Sequence, residues 1–102
     1  MSKQLKHSLF VRLEAKPGKE GEVEAFLAQG LALANAEATT PLWFSLKLDG
    51  RAYAIFDSFY DEAGRQAHLD GPIAKALLAK APELLATPPS IERLDVLGVK
   101  AA

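Results

Sequence analysis

The 102-residue sequence predicts an α+β fold in which one four-stranded antiparallel sheet carries its helices on a single face. Three observations lead there. Four segments place apolar residues at every second position, and two place them at every third or fourth. These segments run in the order strand, helix, strand, strand, helix, strand, which is the split βαβ plan. Each βαβ half must cross right-handed, so both helices lie on the same side of the sheet and the other side is left bare. The length allows one domain, residues 1–102, with an ordered core of about 8–99.

The first strand is predicted over Ser8–Ala15, where Leu9, Val11 and Leu13 share one face and Phe10, Arg12 and Glu14 the other. Lys16-Pro17-Gly18-Lys19 breaks that period. Val23, Phe26, Leu27, Leu31 and Ala34 then recur at helical spacing, with Gly30 among them where a missing side chain permits close approach. After the polar turn Asn35–Pro41, the residues Leu42, Phe44, Leu46 and Leu48 alternate with Trp43, Ser45 and Lys47 as a second strand. Asp49-Gly50 reads as a two-residue hairpin turn leading into an aromatic-rich third strand, Arg51–Tyr60. Asp61 is placed to cap a helix over Glu62–Leu69. Asp70-Gly71-Pro72 interrupts this helix, and a second helical stretch follows with Ile73, Ala76 and Leu77 on its apolar side. Pro82 and Pro88-Pro89 punctuate the end of that region, and alternation over Ile91–Val99 gives the fourth strand. The plan is ferredoxin-like.

Composition removes several classes of function. Twelve Lys+Arg against thirteen Asp+Glu leave a formal charge of −1 and no basic tract for a phosphate backbone, so nucleic acid is not an expected partner. The longest apolar runs, Gly30–Ala34 and Ala52–Phe56, are far shorter than the roughly 20 residues that span a bilayer. No membrane association and no export signal is expected, and the simplest address is the cytoplasm. With no cysteine, disulfides, thiolate nucleophiles and Cys-based metal centres are excluded by inventory. The two histidines, 61 residues apart, do not make a metal site, and neither a glycine-rich phosphate loop nor a hydrolase serine elbow is present. No metal and no cofactor is expected.

Several strands carry apolar residues on both faces: Phe10 beside Val11, Trp43 beside Phe44, Ile55 beside Phe56. A bare sheet face so apolar needs a cover, and the expected cover is a second copy of the chain, giving a two-fold homodimer packed through its sheets. Trp43, on the parity opposite Phe44, is assigned to that interface.

The stretches Phe10-Val-Arg-Leu-Glu-Ala-Lys-Pro-Gly-Lys-Glu, Ile55-Phe-Asp-Ser-Phe and Asp61-Glu-Ala-Gly-Arg-Gln-Ala-His-Leu together resemble the antibiotic biosynthesis monooxygenase family. The resemblance runs from about Ser8 to Val99. It implies a homodimeric α+β barrel with a pocket in each subunit between helices and sheet. It also implies a cofactor-independent monooxygenase, in which an aromatic quinol or polyketide-like phenol is deprotonated and its anion reduces O2. That chemistry needs a base, an apolar pocket and donors for an oxyanion. Other functions within the resemblance are a small-metabolite isomerase and a non-catalytic ligand-binding or stress-related dimer. The chain reads Leu9-Phe10-Val11 where several of the family's oxygenases carry a first-strand Asn, and His68 where they carry a helical Trp. Ala76-Leu77-Leu78 stands where haem-degrading members place an axial His, which argues against haem.

Two residues are candidates for the chemistry. His68 is the one histidine inside a periodic element, and its near-neutral intrinsic pKa suits a general base. Asp57 lies in an otherwise apolar strand, where a carboxylate needs a partner or a perturbed pKa. Val11, Phe26 and Phe44 are the expected pocket walls, with a place in the core as the plain alternative. Arg12 is expected on the bare face in an ion pair, His7 in solvent, and the facing of Tyr53 and Tyr60 is left open because both sides of the third strand are aromatic.

Overall fold

A computed structural model describes residues 4–101. It contains β1 (His7–Glu14), α1 (Glu20–Asn35), β2 (Leu42–Lys47), β3 (Ala52–Phe59), α2 (Glu62–Leu69), α3 (Pro72–Leu84) and β4 (Ser90–Asp95). The strands form one antiparallel sheet in the order β2-β3-β1-β4. This is the ferredoxin-like arrangement that the periodicity predicts.

Register shows which side chains share a face. Leu9, Val11 and Leu13 stand opposite Asp57, Ile55 and Tyr53, and Trp43 stands opposite Asp57 on the other flank of β3. All seven therefore point toward the helices, where Val23, Leu27, Leu77, Ala81 and Leu84 complete a closed core. The opposite face carries three aligned rows. Phe44, Phe56, Phe10 and Glu92 form the central row, flanked by Leu42, Ser58, Ser8 and Leu94 on one side and Leu46, Ala54, Arg12 and Ser90 on the other. Among the described residues, no helix covers it. Phe44 is 51% exposed.

Local sequence explains the element boundaries. The Asp61 side chain accepts a hydrogen bond from Gly64 N at 2.8 Å, and this cap starts α2. Gly71 and Pro72 stop one helix and open the next, since Pro at a first helical turn gives up only an N–H that would be unpaired. Gly30 meets the Trp43 ring; a Cβ there would lie 3.3 Å from two indole carbons.

Three expectations are corrected. Leu48 N donates to Ala52 O at 2.9 Å, so the hairpin loop is three residues, Asp49–Arg51, with Gly50 alone at positive φ, +64°. The non-glycine residues avoid the left-handed region that a two-residue turn would impose on Asp49. Trp43 faces α1 and not the bare face, because β2 runs in the opposite parity to the one its leucines suggest. Finally, β4 pairs only as far as Asp95, four residues short of where its alternation ends.

Candidate functional site

The helix side of β3 ends in two residues that α2 covers, Asp57 and Phe59. Asp57 is 1% exposed and His68 6% exposed. The cap at Asp61 fixes the start of α2, and nearly two turns later this brings the His68 ring onto the sheet, tilted against Phe59 with centroids 5.4 Å apart. His68 Nε2 lies 3.0 Å from Asp57 Oδ2, an ion-pair contact. On its other edge Nδ1 lies 2.8 Å from Glu37 Oε1, which also accepts from Thr40 Oγ1 at 2.7 Å. A histidine is thus clamped between two carboxylates from different elements.

Electrostatics follow from the burial. Desolvation is the largest influence on His68 and pulls its pKa down, but Asp57 and Glu37 together outweigh it and the net direction is upward. Desolvation also dominates at Asp57 and pushes its carboxyl above the usual range, against the pull of His68. Both groups therefore hold protons more firmly than their free counterparts. Asp57 Oδ1 and Oδ2, Glu37 Oε2 and the Trp43 indole nitrogen are buried with no hydrogen-bond partner among the described residues. Such unmet polar atoms are costly in a core. Glu37 and Thr40 belong to the turn between α1 and β2, where no periodicity drew attention to them; only a polar turn adjoining the end of a helix hinted at a role.

No protein-family model and no curated protein matches the chain. Among solved structures, the NE2512 protein of unknown function from Nitrosomonas europaea is 52% identical over 99% of this chain and 98% of its own, with a TM-score of 0.94. This chain belongs to the family of NE2512. A candidate antibiotic biosynthesis monooxygenase from Nitrosomonas europaea superposes with a TM-score of 0.80 at 12% identity, over 95% of this chain and 96% of its own. Another, from Caulobacter crescentus, gives 0.79 at 20% identity, over 93% and 92%. The chain has the antibiotic biosynthesis monooxygenase fold.

Within that fold the candidate residues separate. His68 and Asp57 come together. Val11 stands opposite Ile55 in the closed core, and Phe26 packs half-buried against it. The space beside Phe26, between Leu13, Val23 and α3, is only about 10 Å³, room for one water at most and not for a substrate. Phe44 does not join them: it lies on the bare sheet face, since the parity of β2 sends Trp43 inward. Tyr53 is buried on the helix side and donates to Glu24 Oε2 at 2.6 Å, and this hydrogen bond with burial pushes its pKa up to about 12. His7, expected in solvent, is half-buried with Nδ1 3.8 Å from Glu62. No helix among the described residues is long and apolar enough to cross a membrane.

Proposed function

We propose that the protein is a cofactor-independent monooxygenase of the antibiotic biosynthesis type, working as a homodimer on a small aromatic quinol or polyketide-like phenol. The observation that supports this reading is the buried His68–Asp57 pair beneath the helices of this fold, with Glu37 fixing the far ring nitrogen. In this reading Glu37 holds Nδ1–H, leaving Nε2 to take a proton from the substrate, while Asp57 stabilises the imidazolium. The substrate anion gives an electron to O2, the two radicals join as a peroxide, and O–O cleavage with loss of water leaves a carbonyl. The balance is RH2 + O2 → R=O + H2O. Substrate can reach Nε2 only if the 36–41 turn or α2 lifts, with Val11 and Phe26 then lining the opening.

The closed interior favours a second reading, a non-catalytic dimer in which the trio is a structural ion cluster. A family-like isomerase of a polar metabolite would need more charged donors around an open pocket. Oxygen consumption on a panel of hydroquinones and anthrones separates these. The monooxygenase reading expects uptake by the wild type and at least about tenfold less by His68→Gln. No uptake on any substrate rejects it, and equal uptake by both proteins removes His68 from the chemistry.

A further inference from the structure

We infer that the indole of Trp43 is the hydrogen-bond donor that holds the substrate's hydroxyl oxygen while His68 removes its proton. This role rests on the proposed oxygenase reaction and supplies its oxyanion donor, the one part that His68, Asp57 and Glu37 do not provide.

Trp43 and Asp57 stand directly opposite each other on neighbouring strands, on the helix side of the sheet. Such a pairing brings the two Cβ atoms within about 5.5 Å. Trp43 Nε1 is a buried donor without a hydrogen-bond partner, and both Asp57 oxygens and Glu37 Oε2 are buried acceptors without one. A donor and acceptors placed in one layer could satisfy each other, yet none of them does. What satisfies both kinds at once is an oxygen that accepts one hydrogen bond and donates another, and a hydroxyl is such a group. The unmet atoms therefore describe the chemistry of the ligand. The rings of Trp43 and Phe59, the latter tilted against His68, favour an aromatic body behind that hydroxyl.

Other donors on the helix side are already engaged. Thr40 Oγ1 donates to Glu37 at 2.7 Å and Tyr53 to Glu24 at 2.6 Å. Arg65 gives Nη1 to the carbonyls of Ser8 and Leu94 and its other nitrogens to Glu62. His7 Nδ1 faces Glu62 at 3.8 Å. The indole, by contrast, is both free to donate and held in place. A Cβ at Gly30 would lie 3.3 Å from two carbons of its six-membered ring, so α1 rests on that ring. Trp43 also stands on β2, beyond the 36–41 turn, and stays on the sheet when that turn lifts to admit substrate. A donor positioned before charge develops stabilises it without reorganisation. In the step itself the substrate O–H bond breaks and the proton passes to His68 Nε2. The electron pair remains on oxygen, where Trp43 Nε1–H meets the new negative charge.

The chain has one tryptophan, so its indole N–H gives a single NMR signal. Titration with para-nitrophenol should move that signal downfield to saturation, whereas para-nitrotoluene, with the same ring and no hydroxyl, should not. Trp43→Phe keeps an aromatic ring and removes the N–H. On the hydroquinone or anthrone that the wild type oxidises fastest, this variant should lower kcat roughly a hundredfold and change KM less. Where the wild type consumes oxygen, a folded variant that keeps the wild-type kcat, or an indole signal that para-nitrophenol leaves in place, rejects Trp43 as the donor and leaves the oxygenase standing. Should the variant fail to fold, the wild-type signal alone decides. If oxygen uptake is absent but para-nitrophenol alone moves the signal downfield, the hydroxyl site stands and the oxygenase reading fails. Neither uptake nor movement rejects both.

Discussion

A histidine held between Asp57 and Glu37 in a dry interior makes stability depend on pH in a direction opposite to most acidic sites. Both His68 and Asp57 have raised pKa values in the fold, so the native state binds more protons than the unfolded chain. By linkage, stability then falls as pH rises. The His68 contribution is complete below its unfolded value of about 6.5 and is lost as pH climbs through the raised folded value. The Asp57 penalty begins above about 3.9 and grows until its carboxyl is ionised in the fold as well. Urea unfolding from pH 5 to pH 9 should therefore show a decline attributable to this cluster, and Asp57→Asn should flatten its acidic part. An unchanged profile in that variant would mean that Asp57 does not titrate with His68. Removing the imidazole is a different matter, because it strands the Asp57 charge in the core. His68→Ala should cost about 3–5 kcal/mol near neutral pH and less in acid, where Asp57 can be neutral.

The elements were legible where periodicity carried them and obscure where a side chain answered to a distant partner. Strand and helix order, the Asp61 cap and the break at Gly71-Pro72 all follow from local rules. The inward turn of Trp43 does not. Leu42, Phe44 and Leu46 make the better apolar row, yet they face away from the helices, because the register with β3 sets Trp43 beside Asp57 on the helix side. The Glu37 clamp on His68 escaped for a similar reason: a single carboxylate in a turn has no period. Two changes probe these elements. Asp61→Ala should cost α2 about 1 kcal/mol by thermal unfolding, and it should loosen the grip on His68, seen as a downfield exchange-broadened imidazole signal in NMR. At Gly30 two effects compete. An alanine would gain up to about 1 kcal/mol of helix propensity, but its Cβ would press on the indole at 3.3 Å. A leucine has no such balance and should destabilise by about 2 kcal/mol while shifting the emission of the only tryptophan in the chain. Emission unchanged from wild type would show that α1 does not rest on Trp43.

For the molecule as a whole, the bare face decides whether the fold is finished. A chain of 102 residues buries a modest core, and here one face of its sheet remains outside that core with Phe44, Phe56 and Phe10 in line. Leu42, Leu46 and Leu94 border them, while Arg12 and Glu92 are the charges near the middle and each needs an opposite charge once covered. A two-fold operator meets that requirement, since it sets each copy's Arg12 and Glu92 on the surface the other must complement. An interface of this kind must bury roughly 1,200–2,000 Å² to persist at micromolar concentration, an area that four strands can supply. Phe44→Asp is the sharpest test. In a lone chain the substitution touches a side chain already half in water and should change thermal stability little. In the dimer it places a carboxylate in the shared apolar layer without a guaranteed partner. Light scattering should therefore show twice 11.0 kDa for the wild type and 11.0 kDa for the variant. A variant that remains dimeric would move the interface off this face, and with it the argument that the sheet was left apolar for a second copy.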